Sequence, residues 1–201
     1  QTLKTYSRLA DALTPMLKLF SSEYANQITY DCIQVHGGSG FMKDYACERF
    51  YRDARILTIY EGTSQLQVVA AIRGVVSGAY VGRIKEYEQI EVRDELKPLR
   101  QTLISLREEF EKVYEIAKEW GSSSEAFDFN SRRLVEIAGY LVMCNLLVND
   151  ANKDAMFTKS AKIMTKLAES EIAKAITYIK NFNPEILEEL KTKIKDSFKP
   201  E

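Results

Sequence analysis

Cysteine and histidine are scarce: Cys32, Cys47 and Cys144 are the three cysteines and His36 the one histidine in 201 residues. An odd cysteine count without C-x-x-C spacing argues against a disulfide framework or a zinc site, and a single histidine argues against a histidine-rich metal centre. There is no uninterrupted run of about 18 apolar residues, so no membrane span is visible. The start shows no charged segment followed by an apolar one, hence no secretory signal. Neither sign of charge dominates: 28 Lys+Arg oppose 29 Asp+Glu for a net charge of -1. No chain-wide field then favours nucleic acid or an anionic membrane. What remains is 45% hydrophobic and 28% charged, an ordinary globular composition with room for one large or two small domains. The chain reads as cytoplasmic.

Glycine is also unevenly spread. Gly37, Gly38, Gly40, Gly62, Gly74, Gly78 and Gly82 precede residue 83, and only Gly121 and Gly139 follow. Charge divides less sharply, with 8 Lys+Arg and 7 Asp+Glu in residues 1–80, leaving 20 and 22 for the remainder. The first part needs unusual backbone, and a domain boundary is expected near residue 82.

The second part is the easier to read. Leu96, Leu99, Leu103, Leu106, Phe110, Val113, Ala117 and Trp120 recur at spacings of three and four, which predicts an amphipathic helix ending at Gly121. Ser122-x-x-Glu125 has capping-box form for a next helix with Leu134, Ile137, Leu141, Cys144 and Val148 inward. After an Asn149–Asp154 turn, a third helix carries Phe157, Ala161, Met164, Ala168, Ile172, Ala175 and Ile179. Asn183 before Pro184 is an N-cap for a short fourth, with Glu185 and Glu188 early and Lys193 and Lys195 late to suit the helix dipole. These stripes are bundle core, and no chemistry is assigned to them.

The first part is mainly helical too. A helix over about 9–33 aligns Leu13, Leu17, Phe20, Tyr24, Ile28 and Cys32 and stops before a glycine loop. A short helix from Tyr45 to about Leu57 carries Arg49, Arg52, Asp53 and Arg55. Another begins at Thr63 or Ser64, with Ser64-x-x-Gln67 in capping-box form and Leu66, Val69, Ile72, Arg73 and Val76 at helical spacing. The fold class expected is all-α, a helical bundle followed by a second antiparallel helical bundle.

Three features of the first part could carry chemistry. The glycines of Gln34-Val35-His36-Gly37-Gly38-Ser39-Gly40 could bring backbone N–H groups against an anion, or serve only as a helix C-cap. Gly62-Thr63-Ser64 opens a helix, where orphan amides and the dipole attract anions or merely need a cap. Glu61, just outside that helix, is either a surface acid complementing the dipole or a partly buried base.

Taken together, Ala25-Asn26-Gln27, Gln34 to Phe41, Glu48-Arg49, Arg52-Asp53-Ala54-Arg55 and Ile59-Tyr60-Glu61-Gly62-Thr63-Ser64-Gln65-Leu66-Gln67 resemble, in order and spacing, the C-terminal helical domain of the acyl-CoA dehydrogenase flavoenzymes. The resemblance covers roughly residues 10–82. Residues 83–201 are similar, by pattern alone, to the extra helical region of longer members. The resemblance implies that Glu61 is the base removing the α-proton of an acyl-CoA thioester, with the β-hydrogen leaving as hydride to FAD and a trans-2-enoyl-CoA as product in fatty-acid β-oxidation. An α-C–H becomes acidic enough only when the thioester oxygen receives hydrogen bonds and the carboxylate loses its water.

The same resemblance implies that Gln34, Val35, His36, Gly37 and Gly38 contact FAD from a neighbouring subunit, which makes the site an interface in a homo-oligomer. Thr63, Ser64 and Gln65 match a second FAD-contacting stretch. Gly62 and Arg73 match positions touching substrate, although Arg73 also reads as a solvated helix cation. His36 reads alternatively as a packing or hydrogen-bonding group, while Arg52, Asp53 and Arg55 read as ion-pairing residues. Electron-transfer flavoprotein is the expected partner; no metal, nucleic acid or membrane is.

The N-terminal helical domain and middle β-domain of the family have no counterpart here, so the chain reads as a piece of a longer enzyme. By itself it should expose apolar surface, bind FAD weakly and lack turnover. The catalytic reading expects Glu61 off the outer surface and close to the glycine turn; a Glu61 on the outer surface and remote from that turn would overturn the enzymatic reading. The alternative is a non-catalytic scaffold or interaction module.

Overall fold

A computed structural model describes residues 2–121 and 124–197. It is all-α, with no strand among the described residues. The chain divides into two compact units, Gln1–Ala79 and Tyr80–Glu201.

The first unit contains α1 (Thr2–His36), α2 (Ala46–Arg55) and α3 (Ser64–Val76). α1 extends beyond the expected 9–33 at both ends, with Pro15 inside it. At its C-terminus His36 Nδ1 bonds the Cys32 carbonyl at 2.8 Å, and Gly37, at φ +60°, breaks the helix in the left-handed conformation that glycine adopts without a Cβ clash. Instead of an open loop, residues 37–41 form a 3-10 turn. It folds so tightly onto α1 that a Cβ at Gly40 would lie 2.6 Å from the Ile33 carbonyl oxygen.

α2 returns along α1. The Asn26 amide donates to the carbonyls of Ser22 and Ala54, both at 2.9 Å, and so ties the end of α2 to the middle of α1. The core is Ala12, Met16, Leu19 and Phe20 of α1, Cys47 and Ala54 of α2, and Val68, Ala71 and Val75 of α3. Two expected faces are corrected. Leu17 and Ile28 are 70% and 63% exposed, and Leu66 and Val69 are 58% and 50% exposed. These helices are apolar on more than one side, so spacing identifies a helix without telling which side faces its neighbours.

The second unit is nearer to expectation. It takes in α4 (Ala79–Glu88) from its second residue onward and continues with α5 (Lys97–Glu119), α6 (Glu125–Lys153), α7 (Thr158–Lys180) and α8 (Glu185–Ser197). Arg100 on α5 bonds Asn145 and Asn149 near the end of α6, so these two run antiparallel. Lys162 with Glu95 and Lys180 with Glu109 place α7 parallel to α5. Leu103, Phe110, Val113, Leu134, Ile137, Leu141, Val148, Ala161, Ala168, Ile172 and Ile179 are all buried at the contact.

Four local corrections apply. The Ser122 cap lies outside the described residues; Ser124 is the N-cap of α6, accepting from Phe127 N at 3.1 Å. The turn expected at 149–154 starts only at Asp154, because α6 continues through Lys153. Phe157, expected in the α7 stripe, precedes that helix and is exposed. Finally, α6 is long and apolar enough to cross a membrane by length and composition, and 67% of its apolar stretch is buried inside the fold. The Asn183 cap is present, with its side-chain oxygen accepting from Glu185 N at 3.0 Å.

Candidate functional site

Between α2 and α3 the chain makes a 3-10 turn over residues 56–58, and both Ile59 N and Tyr60 N donate to the Ile56 carbonyl. It then reverses through two consecutive left-handed residues, Glu61 at φ +51° and Gly62 at φ +91°. Glycine accepts this conformation freely, but a residue with a Cβ pays roughly 1–2 kcal/mol. Among the described residues, Glu61 is the one non-glycine that does so.

Three successive carbonyls hold the reversal. Lys18 Nζ, from α1, donates to the Tyr60 and Gly62 oxygens at 3.0 and 2.7 Å and lies 5.6 Å from the centre of the Tyr60 ring. Gln67 Nε2, from α3, donates to the Glu61 and Gly62 oxygens at 3.1 and 3.3 Å. This replaces the expected Ser64–Gln67 capping box. Thr63 is the cap, its hydroxyl accepting from Leu66 N at 3.3 Å. Ser64 and Gln65 begin the helix with amides that have no intrahelical acceptor, and the Ser64 hydroxyl is buried without a partner.

Glu61, Gly62, Thr63, Ser64 and Gln65 are thus together at one helix mouth. The Glu61 side chain is exposed, and its carboxylate makes no ion pair with a described residue. Arg73 lies further along α3 on the exposed face that also carries Leu66, Val69 and Val76.

The glycine turn is elsewhere. Gln34, Val35 and His36 are the exposed last residues of α1, followed by exposed Gly37 and Gly38. Lys18 holds the Glu61 turn nineteen positions earlier on α1, which at 1.5 Å per residue is about 28 Å away. The expectation that Glu61 is inside the fold and beside the glycine turn is therefore overturned within one chain. The reason is geometric: α2 runs back along a rigid α1 before the Glu61 turn begins. His36 uses Nδ1 on the Cys32 carbonyl and lies 6.3 Å from the Tyr45 ring, a hydrogen-bonding role. Arg52 pairs loosely with Glu48 at 3.8 Å, and Arg55 bonds Thr58 at 2.6 Å.

Sequence reasoning overlooked Lys18, because its partners lie 42 and 44 residues away and nothing local distinguishes it from a solvated cation. Gln67 was legible only as part of a motif.

Two family descriptions match the chain: "Acyl-CoA dehydrogenase C terminal" over residues 76–187 and "Acyl-CoA dehydrogenase, C-terminal domain" over residues 4–75. Caffeyl-CoA reductase-Etf complex subunit CarC of Acetobacterium woodii is 54% identical over 52 residues, 26% of this chain and 14% of that protein. Cyclohexane-1-carbonyl-CoA dehydrogenase of Geobacter metallireducens is 48% identical over 67 residues, 33% of this chain and 18% of that protein. The chain thus aligns with less than a fifth of the length of these curated relatives. The crystal structure of an acyl-CoA dehydrogenase complexed with FAD from Bacillus anthracis shares the fold, with a TM-score of 0.63 at 22% identity over 93% of this chain and 36% of that one. With the first description alone covering more than half of its residues, the chain belongs to the acyl-CoA dehydrogenase family, spanning the family's C-terminal helical regions.

Proposed function

We propose that this chain is the C-terminal helical part of an FAD-dependent acyl-CoA dehydrogenase in which Glu61 exchanges the α-proton of an acyl-CoA thioester. Residues 1–82 are the partial catalytic helical domain and residues 83–201 the added bundle. One observation carries the reading: Glu61 alone among the described non-glycines is held left-handed, and backbone strain over-determined by its surroundings is a mark of functional positions. The carboxylate so presented is exposed and makes no ion pair with a described residue; the loss of water that proton abstraction needs would come from parts of the enzyme outside this chain. The relatives support an acyl-CoA substrate, and they include a reductase and a dehydrogenase. The α-proton is handled at the same carbon in either direction, so the role of Glu61 does not depend on which way the reaction runs.

The residues present fit FAD. The Ser64 hydroxyl is buried and unpartnered, beside helix-mouth amides suited to an anionic or oxygen-rich group. A Cβ built on Gly37 or Gly38 meets nothing within 4 Å, leaving the backbone there open to close approach by a ligand. When bound, FAD supplies the acceptor for the β-hydrogen as hydride. Thr63, Ser64 and Gln65 would hold it at the α3 mouth, while Gln34, Val35, His36, Gly37 and Gly38 would hold the FAD of a second copy. With about 28 Å between them along α1, the glycine turn and Glu61 cannot serve one site within a single chain, and the reading holds only if they serve different sites in a homo-oligomer. Gly62 lets substrate come near the Glu61 backbone, whose N–H has no acceptor among the described residues. That amide can donate to the thioester oxygen and stabilise the charge that grows there. Arg73, exposed on the same helix, would meet an anionic part of CoA. A relative belonging to an Etf complex supports electron-transfer flavoprotein as partner.

The test is anaerobic flavin bleaching in the full-length holoprotein with a panel of acyl-CoAs. Bleaching is expected with at least one, and Glu61→Gln should bind that compound without bleaching. A scaffold shows no bleaching with any, which overturns the proposal, as does bleaching by Glu61→Gln at the unaltered rate.

A further inference from the structure

We infer that Lys18 and Gln67 are positioning residues that hold Glu61 for proton transfer, an inference that rests on the reading of Glu61 as the base. Their donors converge on one short segment from two different helices. Lys18 takes the carbonyls of Tyr60 and Gly62, and Gln67 takes those of Glu61 and Gly62. All three carbonyls of the reversal are therefore engaged by side chains, one by two donors at once. The Lys18 contacts are charge-assisted, at 3.0 and 2.7 Å, and so are the stronger pair. The same ammonium lies over the Tyr60 ring, an added attraction on the residue preceding Glu61.

Among the described residues, no other hydrogen bond engages the carbonyls of Tyr60, Glu61 and Gly62. Thr63 is spent on capping α3, and the backbone bonds of Ile59 and Tyr60 end at Ile56, before the reversal begins. Left alone, Glu61 would relax towards a right-handed conformation. That change rotates its Cα–Cβ bond and its N–H together, moving both the carboxylate and the amide presented to the thioester. A displacement of about 1 Å at a reacting group can lower rate on the order of 100-fold with little loss of binding. The clamp thus acts through Glu61, without itself touching the reacting atoms. It joins α1 to α3 across 42 to 44 residues, so the base is positioned by the helices and not by its own loop.

The experiment compares Lys18→Met, Gln67→Met and Lys18→Arg in the full-length holoprotein by single-turnover flavin reduction, acyl-CoA titration and crystallography. Each Met variant is expected to lower the reduction rate roughly 10- to 100-fold while acyl-CoA binding stays within about threefold. Lys18→Arg, which keeps a cationic donor, should recover most of the rate. In the Met variants, φ of Glu61 should leave the positive region. Unchanged reduction with Glu61 still near +51° overturns the clamp, and so does a loss confined to acyl-CoA binding. Gln67→Met keeps the question open to test if Lys18→Met does not fold. Glu61→Gln separates the two ideas: if it reduces flavin normally the base reading fails, and the φ measurement alone then decides the clamp.

Discussion

The ammonium group of Lys18 donates to the carbonyl of Gly62 at 2.7 Å, joining the middle of α1 to the mouth of α3 across 44 residues. That carbonyl also receives Gln67 at 3.3 Å, and a Cβ at Gly62 would lie 2.8 Å from the Gln67 amide nitrogen. Gly62→Ala therefore meets two penalties, the φ of +91° and the displaced Gln67. It should cost roughly 1–2 kcal/mol or more in chemical denaturation and lower flavin reduction as well.

Glu61→Gly should have the opposite effect on stability. Removing the Cβ from a residue at φ +51° relieves strain of roughly 1–2 kcal/mol, partly offset by about 0.5–1 kcal/mol of extra chain entropy. A gain of up to about 1.5 kcal/mol is expected by denaturant titration, with flavin reduction lost. A stability decrease would show that the left-handed turn is not strained.

Replacement of Glu61 by Gln keeps the shape and removes the base. The expected loss of reduction rate is at least about 100-fold, reaching on the order of 10,000-fold, with acyl-CoA affinity retained. Stopped-flow bleaching under anaerobic conditions, beside equilibrium titration, measures both.

Within the second unit, Arg100 is buried with Asn145 and Asn149 as its partners, and its Nε has none. Burial holds the guanidinium below its ordinary range. Arg100→Met removes the buried charge but leaves the buried Asn145 and Asn149 side-chain oxygens without their donor, and should cost roughly 1–3 kcal/mol. Asn145→Leu leaves that charge with fewer acceptors and should cost roughly 3 kcal/mol by denaturant titration.

Alkaline pH should weaken the second unit. Burial pushes the Cys144 thiol from 9.0 up to about 12 and raises the Tyr80 phenol too. Both groups stay protonated in the folded state after the unfolded chain has begun to ionise. Stability is fully present below pH 9 and falls as pH rises towards 12. Cys144→Ala and Tyr80→Phe should each flatten that decline in denaturation series run at successive pH values.

Much of this architecture was legible in the order of residues. The stripes of α5, α6 and α7, the Asn183 cap and the stop at Gly37 depend on groups within a turn or two of one another, and helical periodicity and capping act over that range. The cluster of Glu61, Gly62, Thr63, Ser64 and Gln65 was legible for the same reason, being contiguous. Tertiary structure alone decided which face of α1 and α3 is buried, that Arg100 is a core residue, and that Lys18 and Gln67 grip the turn. It also decided that the glycine turn and Glu61 lie about 28 Å apart on a rigid helix. Each of these depends on what a distant segment brings to the other side of a contact, and a period of 3.6 residues carries no record of that.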